Sequence, residues 1–301
     1  MRNLVSILFL CLIIFNMCTS CRIEENESLN NNADYDNIIT KVVDNNIVNN
    51  ATETFLSTSI DYEFYYKNNR FPESFTVYND SVFIIDTLNS TILKFKSEKL
   101  ISRTKLSFPF SDMIDIYAID ENDYYIFNYP LERGIYLFKD SKRTKIESDL
   151  YNYNKYTKIS VFGNNLLIGN GEEYLNLDDG FKNVKKNPWN IECQEPYLID
   201  LDSGKKFKVF TNNNMINVLG RHSNYIFIEE FLEFDSIDKR KRFLNILSTD
   251  KNIVLSIEIQ KNEQSINRDL LIDKEYNLYQ MTFTYNAINI EKIDLKELGI
   301  E

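Results

Sequence analysis

Ser74-Phe-Thr-Val-Tyr78, Asn79-Asp80, Ser81-Val-Phe-Ile-Ile85, Asp86-Thr-Leu-Asn-Ser90, Thr91-Ile-Leu-Lys-Phe95 is the stretch whose reading decides the fold. Three short runs of β-branched and aromatic residues are separated by polar breaks, the pattern of strand, tight turn, strand, polar turn, strand. Asn79-Asp80 suits a hairpin, because short polar side chains accept the positive φ that such turns demand. Ile101 to Phe108 supplies a fourth strand and completes an antiparallel meander. From residue 54 onward, no window longer than ~12 residues carries a helical period.

The unit recurs. Ile114 to Ile119, Tyr124 to Phe127 and Gly134 to Phe138 repeat it, with Ile135 to Phe138 lying 43 positions after Ile92 to Phe95. Ile159 to Phe162 and Leu166 to Ile168 begin it again, with Ile168 placed 42 after Ile126. There the polar turn reads as swollen over Gly169 to Glu195, before Tyr197 to Asp200 resumes the strand. A fourth copy runs through Ile216 to Leu219, Asn224 to Ile228 and Phe243 to Leu247, and a fifth through Leu270 to Asp273, Leu278 to Met281 and Ile288 to Ile290. A period of about 40–45 residues with four strands per unit marks a β-propeller blade, because one sheet cannot cover both of its own faces. Thr54 to Tyr66 has no unit of its own, and can pair with the last strands to close the ring and remove its free edge. The expectation is an all-β, six-bladed β-propeller of four-stranded antiparallel blades over residues 51–301. Five or seven blades, or a β-sandwich or barrel, are the competing architectures.

Phe71 to Phe95 resembles an NHL-type blade of the bacterial six-bladed, TolB-like propeller superfamily, in its Pro-x-Ser-Phe opening, Asp-Thr-x-Asn turn and Ile-x-x-Phe strand. Asp273-Lys-Glu-Tyr-Asn-Leu-Tyr-Gln-Met281 resembles the Asp-x-x-Gly-Asn-Ile-Tyr turn of the same blades, with Tyr276 standing where glycine is usual. The resemblance implies the fold and, for exported lipidated members, a binding or scaffolding role. It also raises an alternative, a metal-dependent lactonase-like hydrolase with a Ca²⁺ ion on the axis.

The N-terminus gives an address. Arg2 precedes an apolar run from Leu4 to Phe15, and Met17-Cys18-Thr19-Ser20-Cys21 puts small residues before a cysteine. That reads as a lipoprotein signal peptide over residues 1–20, with Cys21 as the lipidated residue. Ordinary secretion or an uncleaved anchor are the alternatives. The run is shorter than the ~20 apolar residues of a membrane span. Residues 21–50, acidic and Asn-rich, read as a flexible tether. The implied location is the bacterial cell envelope, lipid-anchored on the extracytoplasmic side of a membrane.

Composition narrows the function. The net charge is −11, or −12 once Arg2 leaves with the signal, which argues against nucleic acid and against an electrostatic grip on anionic lipid. With Cys21 acylated, Cys193 is the remaining thiol and no internal disulfide can form. His222, the single histidine, sits at an apparent turn without a Gly-x-Ser-x-Gly elbow, which removes the support for a hydrolytic triad. No metal site or cofactor is expected from His and Cys. Asp86, Asn89, Asp115, Asp120 and Asn128 are oxygen donors of the kind an axial cation would need, although Asp86 and Asn89 read equally as a capped turn. Asp200-Leu-Asp-Ser-Gly204 reads as a hairpin turn, and Lys239 to Arg242 as a solvated basic loop. The swollen segment holds Pro188, Trp189 and Cys193, and is the candidate recognition insertion. The partners expected are the membrane through the lipid, and an unknown protein or carbohydrate ligand.

Overall fold

A computed structural model describes residues 39–59, 71–106, 113–129, 134–139, 142–146, 158–162, 165–169, 173–176, 184–186, 190–194, 197–208, 215–232, 241–250, 253–260, 262, 268–284 and 287–300. Strand β1 (Ile39–Val42), helix α1 (Asn45–Asn50) and strand β2 (Thr52–Ser59) come first. Asp44 caps the helix by accepting the Asn46 N–H at 2.7 Å. The first meander is β3 (Ser74–Tyr78), β4 (Ser81–Asp86), β5 (Thr91–Lys96) and β6 (Lys99–Lys105). The second is β7 (Met113–Ala118), β8 (Tyr124–Tyr129), β9 (Gly134–Lys139) and β10 (Lys142–Ile146). The third is β11 (Lys158–Phe162), β12 (Asn165–Gly169), β13 (Glu173–Asn176) and β14 (Val184–Lys186).

A three-stranded meander follows: β15 (Ile191–Gln194), β16 (Tyr197–Asp200) and β17 (Lys206–Lys208). Next come β18 (Met215–His222), β19 (Tyr225–Leu232), β20 (Lys241–Ser248) and β21 (Ile253–Ile259). The last sheet is β22 (Leu270–Ile272), β23 (Asn277–Phe283) and β24 (Ala287–Asp294), with β2 as its fourth strand. β2 runs antiparallel to β24 from Thr52↔Ile293 to Ser59↔Ala287. The N-terminal segment thus closes the final sheet, as the unassigned stretch after residue 54 suggested.

Why strands such as β4 read as unbroken apolar runs is explained by their neighbours. Every residue of β4 is buried, yet its alternate side chains go to different cores. Phe83 and Ile85 pack with Ile114, Ile116 and Ile126 of the second meander. Val82 and Ile84 pack with Leu271, Met281 and Ile290 of the closing sheet. β19 does the same, with Tyr225 and Phe227 against Leu278 and Ile293, and Ile226 and Ile228 against Leu198 and Phe207. Each such side chain contributes about 1.5–3 kcal/mol by leaving water, so a strand covered on both faces uses every position.

These cores set the order of the sheets: the fourth meander packs on the fifth, the fifth on the closing sheet, the closing sheet on the first, and the first on the second. The leading strands also gather, β3 beside β7 and β7 beside β11. β11 pairs in parallel with β18 through Val161↔Gly220 and Phe162↔Arg221. Antiparallel meanders packed face to face, with the N-terminal strand β2 completing the last sheet, are the arrangement of a β-propeller.

Two expectations need correction. The stretch from Gly169 to Glu195 is not one swollen turn, because it contains β13, β14 and β15. Tyr197 to Asp200 accordingly belongs to a separate meander rather than to the third copy. Strands of three or four residues, such as Val184-Lys-Lys186, offer too few apolar positions to show a period of two. Residues 39–50, read as the end of a tether, hold a strand and a helix, and β1 lies parallel on β21 from Ile39↔Ile253 to Val42↔Ser256.

Candidate functional site

Among the described residues, a dense polar network lies where β22 begins. Arg268 and Asp269 are consecutive residues of opposite charge just before that strand, and they reach in different directions. The Arg268 backbone N–H donates to the Glu73 carbonyl at 2.9 Å, which ties the closing sheet to the start of β3. Its guanidinium ion-pairs with Asp115 of β7, one meander further on. Asp115 has no exposure to solvent, and its Oδ1 accepts from the Ser74 hydroxyl at 2.5 Å and from the Ile116 N–H at 3.0 Å. Both carboxylate oxygens are therefore engaged by partners from three sheets. Tyr117, two residues along β7, has its phenol pushed upward by burial, against the opposing pull of Arg268.

Asp269 faces the fifth meander. It receives Arg242 of β20 bidentately, Nη1 at 2.6 Å and Nη2 at 2.7 Å, and Asn262 Nδ2 at 2.7 Å. Arg242 also donates through Nε to Glu229 of β19 at 2.5 Å, and Asn217 of β18 donates to the same carboxylate at 3.1 Å. Burial alone would lower the Arg242 pKa, but the hydrogen bonds and charges of Asp269 and Glu229 outweigh it and raise the value. Arg242 is 5 % exposed. The sequence reading of Lys239 to Arg242 as a solvated loop is corrected here: Lys241 and Arg242 open β20, Lys241 pairs with Glu258 at the surface, and Arg242 is inside. Lys239 and Arg240 lie outside the described residues.

The described oxygen donors singled out from the sequence are engaged in local turns or in the ion pair above. Asp86 closes the turn after β4, accepting the Asn89 N–H at 3.1 Å and its Nδ2 at 2.7 Å. Asp120 accepts the N–H groups of Asn122 at 2.6 Å and Asp123 at 2.7 Å, and those two bonds hold its carboxyl below the usual range. Asp115 belongs to the ion pair above, and the Asn128 side chain lies outside the described residues. Among the described residues, no group of three or more His, Cys, Asp or Glu is placed to hold a metal ion.

Asp200 to Gly204 forms the turn between β16 and β17, with Gly204 at φ +71° and its N–H donating to the Asp200 carbonyl at 2.7 Å. Arg221 bridges Asp200 at 2.9 Å and Asp202 at 2.7 Å. His222 ends β18 rather than occupying the turn, and its ring lies 4.9 Å from that of Tyr276. Cys193 is in the middle of β15 with its side chain outside the described residues, as are Pro188, Trp189 and Cys21. The recognition insertion expected around Trp189 is therefore flanked by strands, not looped out of one turn.

No protein-family model and no curated protein matches this chain. Among solved structures, virginiamycin B lyase from Staphylococcus aureus is similar at 11% identity and a TM-score of 0.47, over 80% of this chain and 99% of that one. Glutaminyl cyclase from Myxococcus xanthus is similar at 7% identity and a TM-score of 0.41, over 85% and 99%. AztD from Citrobacter koseri is similar at 8% identity and a TM-score of 0.32, over 70% and 65%. Likeness at this level carries no argument about the chemistry of this chain.

Proposed function

We propose that this protein is an exported, lipid-anchored, six-bladed β-propeller that acts as a non-catalytic binding or scaffolding module. The single observation that supports the non-catalytic reading is the state of Asp115. This leading-strand carboxylate is buried and engaged by Arg268, Ser74 and the Ile116 N–H, leaving it occupied with holding sheets together. Asp269 and Glu229 are spent in the same way on Arg242. A lactonase-like hydrolase would need such carboxylates free of internal cations, so that they could hold Ca²⁺. Support for six blades comes from the meanders beginning at β3, β7, β11, β15, β18 and β22, the last completed by β2.

The test is metal content of the full-length chain purified in neutral detergent, together with its melting temperature with and without a chelator. The expected result is no stoichiometric ion and no shift. A bound ion whose removal lowers the melting temperature would overturn the non-catalytic reading. The anchor is tested separately: radiolabelled palmitate should enter the wild type and not Cys21→Ser, and labelling of both, or of neither, would refute lipidation at that residue.

A further inference from the structure

Every outer strand of this protein raises the question of what covers its open edge. One is covered by the chain itself. β21, apolar at Ile253, Val254, Leu255 and Ile257, is overlaid by the four residues of β1 in parallel register. In the closing sheet β2 is itself the outer strand. The outer strand of the first meander, β6, is the last strand of its sheet, and among the described residues no strand pairs with its far edge.

β6 is as long as β21 and of different chemistry. Its seven residues, Lys99-Leu-Ile-Ser-Arg-Thr-Lys105, are exposed except for the half-buried Thr104. Lysine and arginine on an edge strand can serve only to repel another strand. That purpose does not explain Leu100 and Ile101, which are 40% and 57% exposed in the middle of it. The neighbouring outer strand, β10, carries Lys142, Arg143 and Lys145, and is also exposed over residues 142–145. Residues 96–105 hold four cationic side chains and one carboxylate, and residues 139–146 hold the same. These two stretches therefore sum to +6, and the rest of the −11 chain to −17. Eight of the 34 lysines and arginines thus give the outer strands of two neighbouring meanders a local positive charge in an acidic protein, with Lys96 at the head of the first paired to Glu121.

We infer that β6 is a docking edge for an acidic, extended segment of a partner protein, which adds as a fifth strand as β1 does on β21. Backbone hydrogen bonds to Ser102 to Lys105 supply the pairing, a stretch as long as β1. Lys99, Arg103 and Lys105 select carboxylates, with the field of β10 behind them. Leu100 and Ile101 give alternate apolar side chains of the partner a dry contact. This names the partner class for the binding module proposed above and rests on that reading. The metal measurement tests the module, and the experiment that follows tests the edge alone.

The probe is a fluorescein-labelled peptide alternating Glu with Val over seven residues, titrated against the full-length chain in neutral detergent. Saturable binding is expected, weakened at least tenfold between low and high salt and at least tenfold by the double substitution Arg103→Glu/Lys105→Glu. Because both residues are exposed, that variant should keep the wild-type melting temperature. A peptide N-methylated at alternate residues should bind at least tenfold more weakly, and hydrogen exchange at Ser102 to Lys105 should slow when the unmodified peptide is bound. Absence of binding, or equal binding of the N-methylated peptide, would overturn the inference. So would binding to phosphatidylglycerol vesicles that the same double substitution abolishes while peptide binding persists unchanged, since the basic edge would then serve a membrane.

Discussion

Replacing Arg268 by methionine should be among the most damaging single changes in the molecule. The side chain is 8% exposed and its partner Asp115 has no exposure, so nothing from solvent can take over the guanidinium's role. Ser74 and the Ile116 N–H would remain on Oδ1, while Oδ2 would lose the guanidinium it is paired with. Breaking a buried pair by removing one partner costs about 3–5 kcal/mol, because the surviving charge is stranded in a low dielectric. For a domain of some 250 residues each kcal/mol moves the melting temperature by roughly 2–4 °C, so Arg268→Met should melt on the order of 10 °C lower. Urea unfolding followed by circular dichroism gives the free energies. The decisive comparison is with Asp115→Asn and with the double variant Asp115→Asn/Arg268→Met. If the stranded charge carries the cost, the double variant recovers about 2 kcal/mol or more relative to the sum of the single losses. A cost below about 1 kcal/mol for Arg268→Met, or additive losses, would refute the claim that this ion pair holds the closing sheet to the first two.

Three further perturbations separate the other contributions. Burial pushes the Tyr124 phenol up to about 12 from an ordinary value of 10, partly offset by a hydrogen bond with Thr104. With the folded value raised, the stabilisation is complete below pH 10 and is lost as pH rises from 10 to 12, a change of about 2.7 kcal/mol. Tyr124→Phe should therefore flatten the alkaline fall in urea stability by about one proton, and an unchanged slope would count against the burial argument. Tyr276 adopts φ +65°, a left-handed conformation costing about 1–2 kcal/mol that Tyr276→Gly would relieve. The same change removes a buried ring that packs 4.9 Å from His222 and 5.7 Å from Tyr225. Losing such a ring costs about 3–5 kcal/mol, so the net expected is a destabilisation of about 2–3 kcal/mol, and a rise in melting temperature would contradict it. Deleting residues 1–43 removes β1 and Val43 from the described residues, keeps α1 and β2, and should leave a cooperative transition lowered by a few degrees. Deleting residues 1–59 also removes β2 and the fully buried Leu56, and should abolish the cooperative transition; survival of it would show that the ring does not depend on its closing strand.

The repeating strands were legible because burial on both faces writes a strong local signal. Val82 to Ile85 sends alternate residues into two cores, so its four positions are all apolar, and the turn residue Asn79 shows the positive φ (+48°) that its type suggests. The offset of 43 between Ile92 and Ile135 is the spacing of β5 and β9, third strands of consecutive meanders. Where strands shorten to Val184-Lys-Lys186 and Lys206-Phe-Lys208, one apolar residue per strand remains, and a sequence period cannot be counted from single points. That is why a whole meander was hidden between Gly169 and Lys208.

The polar network was illegible for a different reason, namely that its partners are far apart in the chain. Arg268 and Asp115 are separated by 153 residues, and no spacing rule connects them. Asp115 stood out in the sequence as an acid within an apolar strand, which reads equally well as a cation ligand or as half of an ion pair. Arg242 looked like part of a solvated basic run because Lys239 to Lys241 precede it. Its true setting follows from what comes after: Phe243 to Leu247 is buried without interruption, so the residue that opens this strand lies at the edge of a core. A cation placed there must find carboxylates or cost several kcal/mol. Glu229 and Asp269, the first on the adjoining strand and the second just ahead of the next sheet, accept from its three bonding nitrogens. A charge that opens a strand as apolar as Phe243-Leu-Asn-Ile-Leu247 is thus a sign of a buried partner, and it can be read from sequence before the partner is known.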